Sequence, residues 1–179
     1  MVYGIAKSET LQRKAETLQR LHKGPKILAL INVWDVASAR LVERMGFPAV
    51  ATSSAAVANS LGYPDGERIS RNEMLNVVER IASAVQLPVT ADMEAGYSRE
   101  PEQMADTARE LIEAGAVGLN LEDSLENESK MVDVGLQVEK IKAVRSIAEI
   151  ARVPLVLNAR TDAYWWKGAD PKARFADAV

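Results

Sequence analysis

The chain has 179 residues, 47% hydrophobic and 26% charged, enough for one substantial globular core and too apolar for a disordered segment. With 22 Lys and Arg against 25 Asp and Glu, the formal net charge is -3 and no basic face stands out, so nucleic acid is not an expected partner. The absence of cysteine removes disulfides, thiolate metal sites and cysteine nucleophiles together.

The N-terminal stretch reads as a polar amphipathic helix over about residues 8–22, carrying the single histidine, His22. It lacks the pattern of a signal peptide, and no apolar run approaches the ~18 residues of a membrane span. A cytoplasmic protein without a membrane partner is expected. Short apolar runs then alternate with helical patterns: ILALIN (27–32), AVATSS (49–54), PVTAD (88–92), VGLNLE (117–122) and PLVLNAR (154–160). Each reads as a strand buried on both faces. Between them, residues 36–45 are helical up to Gly46, and 70–85 open with Ser70 and Glu73 at capping-box spacing. Pro101 starts a helix that ends at Gly115, while Leu136, Ile141, Val144 and Ile147 mark the apolar stripe of the next. A last helix begins near Asp170 and Pro171.

Repeated strand-helix units imply a parallel sheet covered by helices, either an open doubly wound sheet or a (β/α) barrel. Each of the five strands finishes in polar residues: Asn32 and Asp35, Ser53 and Ser54, Asp92 and Glu94, Glu122 and Asp123, Arg160 and Asp162. In a barrel all of these meet at one mouth, whereas an open sheet gathers those beside its switch point, so the barrel is preferred. Eight units normally take roughly 250 residues. The expectation is therefore a single domain over residues 1–179 that covers the first five units of a TIM-type (β/α)8 barrel.

Asp92, Glu94 and Glu122 are hard oxygen ligands with no imidazole or thiolate near them, which suits magnesium or manganese; acids at strand ends also cap helices or pair with arginines. Asp65, in the turn-rich loop Gly62–Gly66, could join as an outer partner of the metal. Arg160 offers a bidentate grip on a substrate carboxylate or phosphonate, or else a structural salt bridge to Asp162, Asp123 or Glu122. Ser53, Ser54 and the Gly96–Tyr97 turn present small side chains and N–H groups suited to a carboxylate or an oxyanion, although TSSAA also suits close strand-helix packing. No lysine at a strand end offers a Schiff base.

The segments NVWDVASARLVERMGFPAVATSSAAVANSLGYPDG, LPVTADMEAGY, AGAVGLNLEDS and PLVLNARTDA, in this order, resemble the phosphoenolpyruvate mutase / isocitrate lyase superfamily, and most of all its phosphonomutase-like subgroup. The resemblance implies a (β/α)8 barrel, homo-oligomers (dimer or tetramer) and a magnesium-dependent site that stabilises a pyruvate enolate while a C–C or P–C bond is made or broken. It implies direct metal contact for Asp92, contact through metal-bound waters for Glu94 and Glu122, and an outer-shell place for Asp65. Ser53 matches the residue that holds the substrate carboxylate, and Arg160 the arginine that pairs with the group across the scissile bond. Isocitrate and methylisocitrate lyases carry a K-[KR]-C-G-H loop after strand four, where this chain reads EDSLENESKMVD, without cysteine or histidine. Those two activities are disfavoured. Asn127 and Lys130 could serve as polar loop residues there, or belong to a solvated loop. The expected function is a magnesium-dependent lyase or decarboxylase of a small 2-oxo or 2-hydroxy di- or tricarboxylic acid, with P–C mutase or hydrolase chemistry as the alternative. An inactive fragment or assembly-dependent scaffold is the alternative of another class.

Overall fold

The computed structural model describes residues 2–125, 130–165 and 170–178. Helix α1 (Val2–Lys23) precedes strand β1 (Ile31–Val33), helix α2 (Val36–Arg44), strand β2 (Val50–Thr52) and helices α3 (Ser54–Ser60) and α4 (Arg71–Ala84). Strand β3 (Val89–Asp92), helix α5 (Pro101–Glu113) and strand β4 (Gly118–Glu122) follow. A short antiparallel ribbon, β5 (Ser124–Leu125) with β6 (Lys130–Met131), leads into α6 (Val134–Ala151), β7 (Val156–Arg160) and α7 (Pro171–Ala178). The main sheet has five parallel strands in the order β1-β2-β3-β4-β7. Consecutive units lie side by side, so all five C-terminal strand ends face one edge of the sheet. No helix among the described residues is long and apolar enough to cross a membrane.

Alternation along the strands divides the sheet. Ala91 and Met93, Leu119 and Leu121, and Leu155 and Leu157 pack with Met104, Leu111 and Val144 of the covering helices. The register sets Asp92 beside Asn120, Asn120 in turn beside Asn158, and Glu122 beside Arg160. Local chemistry explains the helix starts. Ser70 and Glu73 form the capping box that their spacing predicts, and Asp35 and Ser38 form a second one. Pro101 occupies the first turn of α5, where its missing N–H costs nothing.

Several expectations need correction. Residues 27–30 are not strand: Ile27 is 98% exposed, and the pairing Ile31↔Val50 would set Ala29 against Pro48, which has no amide to give. Residues 53–54 leave β2 because Ser53 accepts a bond from the Ala56 N–H and caps α3. Burial on both faces holds for β2 and β3, while the outer strands β1 and β7 are partly exposed. The N-terminal helix is longer than the expected 8–22, and it is no mere polar surface element: Ala15 and Leu18 are fully buried. Lys14 donates to Val85 O and Gln19 to Pro154 O, which ties α1 to the segments entering β3 and β7. Gly118 makes room for it, since a Cβ there would stand 2.9 Å from Leu18 Cδ2 and 2.7 Å from Thr90 Oγ1.

Candidate active site

The C-terminal ends of β2, β3, β4 and β7 bring together most of the predicted site residues. Asp92, the last residue of β3, is held from two sides. Its amide donates to Thr52 Oγ1 at 2.9 Å, and its Oδ2 accepts from the Ser54 amide (3.1 Å) and hydroxyl (2.9 Å). The other oxygen, Oδ1, is buried with no hydrogen-bond partner. A buried carboxylate oxygen left bare is costly unless something binds it. Ser54 therefore orients Asp92, and the Ser53 hydroxyl caps α3.

Past β3 the chain turns sharply. Glu94 and Tyr97 have positive φ values of 51° and 55°, as does Glu67 (54°) in the loop after α3, a conformation that side chains with a Cβ seldom adopt. These three residues bond to one another. Glu94 accepts from the Glu67 amide (2.5 Å) and the Tyr97 hydroxyl (3.0 Å), and the Tyr97 amide donates to Glu67 at 2.7 Å. The Gly96 amide closes the turn onto Met93 O at 2.7 Å. Asp65 is solvent-exposed, yet its charge reaches Glu94.

On β4, Glu122 forms an ion pair with Arg160 Nη1, while Arg160 Nη2 lies 2.8 Å from Asp162 Oδ1. Arg160 thus has the salt bridges of its structural reading, with its guanidinium 5.9 Å from the ring centre of Trp165. Two acid contacts do not exhaust five N–H donors. Ser124 donates to Asp162 Oδ2 at 2.6 Å. Asn127 lies outside the described residues, and His22, exposed at the end of α1, bonds to Leu18 O.

Electrostatics show the strain of this assembly. Burial, reinforced by the charges of Asp65 and Glu67, pushes the Glu94 carboxyl up to about 7 against the opposing hydrogen bonds from Tyr97 and Glu67. Burial and the charges of Asp162 and Asp92 push Glu122 up to about 8, against Arg160. Burial also raises Glu67, and burial with the Glu94 charge raises the Tyr97 phenol. A cavity of about 390 Å³ opens beside these groups, bounded by Gly66, Glu67, Glu94, Tyr97, Glu122 and Ser124. Among the described residues no three acids or histidines stand close enough to cage a metal by themselves. Glu67, Gln137 and Lys140 complete the surroundings and were not singled out from sequence; the visible signal was a Gln and a Lys in phase with the buried positions Val144 and Ala148 of α6.

A parallel α/β sheet with acids and an arginine at its C-terminal edge defines a class of small-molecule site. Comparison with known proteins is more specific: the family described as phosphoenolpyruvate phosphomutase matches residues 18–179, and the chain belongs to the phosphoenolpyruvate mutase / isocitrate lyase superfamily. An uncharacterized protein of Mycobacterium tuberculosis (strain ATCC 25618 / H37Rv) is 38% identical over 146 residues, 81% of this chain and 52% of its own length. An oxaloacetate decarboxylase of Bradyrhizobium diazoefficiens is 31% identical over 92% of this chain and 59% of its own. A solved structure from Burkholderia cenocepacia J2315, provisionally assigned as a phosphonomutase, is 41% identical with a TM-score of 0.86, over 92% of this chain and 67% of that one. The chain thus spans little more than half the length of these two curated relatives.

The turn after β3 supplies a prediction. Gly96 has φ +90°, and a Cβ there would stand 2.4 Å from Met104 Sδ. Gly96→Ala should destabilise the fold by about 1–3 kcal/mol through backbone strain and overpacking. Urea unfolding of variant and wild type measures this, and an unchanged midpoint would show that the turn tolerates a side chain.

Proposed function

We propose that the chain carries the metal-binding half of an enzyme active site, and that its five strand-helix units form part of a (β/α)8 barrel. The reaction is a lyase or decarboxylase cleavage of a C–C bond in a small 2-oxo or 2-hydroxy di- or tricarboxylic acid. The observation that carries the proposal is Asp92 Oδ1, a buried carboxylate oxygen without a partner at the strand-end edge, beside two acids whose charge is disfavoured by burial. An all-oxygen set with few protein ligands fits magnesium, with manganese as substitute, because magnesium retains several waters and seeks one or two carboxylates. Lewis-acid stabilisation of enolate charge is the chemistry the ion supplies.

The chain's own residues do the rest. Asp92 would hold the ion directly, since Ser54 occupies Oδ2 and leaves Oδ1 without a protein partner. Glu94 and Glu122 serve the hydrated outer shell, and Asp65 adds charge from the loop rim. Ser53, Gly96 and Tyr97 border the substrate. Arg160 binds the substrate group across the scissile bond with the N–H donors that Glu122 and Asp162 leave over. The chain has no cysteine to move a proton, and Asn127, whose amide does not ionise, would contribute a hydrogen bond to the substrate and not a proton. Names among the relatives, oxaloacetate decarboxylase and 2,3-dimethylmalate lyase, support C–C cleavage. The Burkholderia likeness, at 41% identity, favours P–C chemistry as the second reading. Turnover of oxaloacetate, 2,3-dimethylmalate and phosphonopyruvate with magnesium separates the two.

Asp92→Asn keeps an oxygen for Ser54 but removes the charge. It should weaken magnesium binding at least about tenfold, or ~1.4 kcal/mol, with the circular dichroism spectrum retained. Equal affinity in a calorimetric titration would dismiss Asp92 as a ligand. Oxalate, a planar dianion, should compete with substrate and bind only when magnesium is present. Binding to the metal-free protein would argue against enolate chemistry. Arg160→Lys keeps the charge and loses the fork. If one charge-assisted hydrogen bond is lost at the transition state, about 1.5–3 kcal/mol, kcat/KM should fall roughly ten- to 150-fold; a loss below about threefold would return Arg160 to a structural role.

A further inference from the structure

We propose that Gln137 and Lys140, one turn apart on α6, are positioning residues: by holding the backbone carbonyls of Glu122 and Ala95 they fix where the Glu122 and Glu94 carboxylates stand. This rests on the metal-dependent reading of the site and adds the part that braces it.

Lys140 has no exposed surface, and it heads the largest fully buried side chains of the protein. A lysine is seldom placed so, because desolvating an ammonium is costly unless it is bonded. Its Nζ donates to Ala95 O at 2.5 Å. Ala95 sits past the end of β3, between Glu94 and Gly96, inside the turn whose flanking residues are left-handed. Glu67 is the carboxylate whose charge acts on Lys140, and it also accepts the Tyr97 amide. Ammonium, Ala95 carbonyl and the Glu67 carboxylate thus grip the turn from two sides. One helical turn earlier, buried Gln137 donates from Nε2 to Glu122 O at 3.1 Å. Residues three apart on a helix share a face, so a single rigid helix addresses both acid-bearing segments.

Packing alone does not account for the pair. Leucine or methionine at either position would fill the same space with no polar group to desolvate. The two segments also bond directly, Glu122 N to Glu94 O at 2.8 Å, so a shift of either carbonyl moves both carboxylates. Bracing of ligand-bearing segments by such outer partners governs how well a metal site is formed.

The test uses Lys140→Met and Gln137→Met, which keep stem length and remove the donors. In metal-free protein, hydrogen exchange at the Glu67, Tyr97 and Glu122 amides should accelerate about tenfold while β2 and α4 keep their protection. Manganese affinity, followed by electron paramagnetic resonance, should fall about tenfold to a hundredfold. Unchanged local exchange, uniform acceleration across all elements, or local acceleration with full manganese affinity would each overturn the inference. Should Lys140→Met fail to fold, Gln137→Met decides alone. A wild-type protein that binds no manganese would end the metal reading, and the exchange measurement would still decide whether α6 fixes the two segments.

Discussion

Too many carboxylates share one edge of the sheet. The parallel register brings Asp92, Glu122 and Asp162 to the same side, and the turn after β3 adds Glu94 within their reach. Each loses water on burial, and each raises the cost of charging its neighbours. Arg160 offsets part of this by pairing with Glu122 and Asp162, but it does not reach Asp92 Oδ1 with a hydrogen bond. Stability alone would not choose such a cluster. The cation of the proposed function would relieve this crowding, and the surrounding elements keep the acids from relaxing apart.

How they are kept is a matter of backbone. Glu67, Glu94 and Tyr97 all adopt left-handed φ, and each engages another of the three by hydrogen bond. Each such conformation costs about 1–3 kcal/mol for a residue with a Cβ and persists where the surroundings hold it. Reciprocal bonding makes the strain collective: to release one residue the other two must lose a partner. Ser54 on Asp92 does by side chain what this network does for Glu94.

Much of this was legible in the sequence because it follows from short-range chemistry. Five apolar runs, each ending in polar residues, gave the strands and their shared edge; Ser70–Glu73 and Pro101 gave helix starts. Asp92, Glu94, Glu122 and Arg160 stood out as charged residues where a buried strand ends. Other features depend on distance in space. Glu67 lies in a loop that composition marks only as a turn, and its role comes from Tyr97, 30 positions on. Gln137 and Lys140 act through carbonyls, which every residue carries, so no residue type at Ala95 or Glu122 announces them. The burial of α1 was hidden for a related reason: its polar face was plain, but the small residue that admits it, Gly118, lies on β4.

The two ends of the sheet carry different duties. At the N-terminal end, Leu18 of α1 sits against Gly118, and Lys14 and Gln19 fasten the helix to segments entering β3 and β7. That end is sealed mainly by apolar packing, with Lys14 and Gln19 bonding to backbone carbonyls at its border. Freed from sealing the core, the C-terminal end can hold groups that packing would exclude. Here α6 is decisive, because one helix serves both requirements: Val144 and Ala148 pack in the core, while Gln137 and Lys140, nearer its start, reach the acid-bearing segments. The helix cannot shift to relieve the acids without disturbing the core. Core packing thereby fixes the acid-bearing segments in place, as the proposed metal site would need with so few direct ligands.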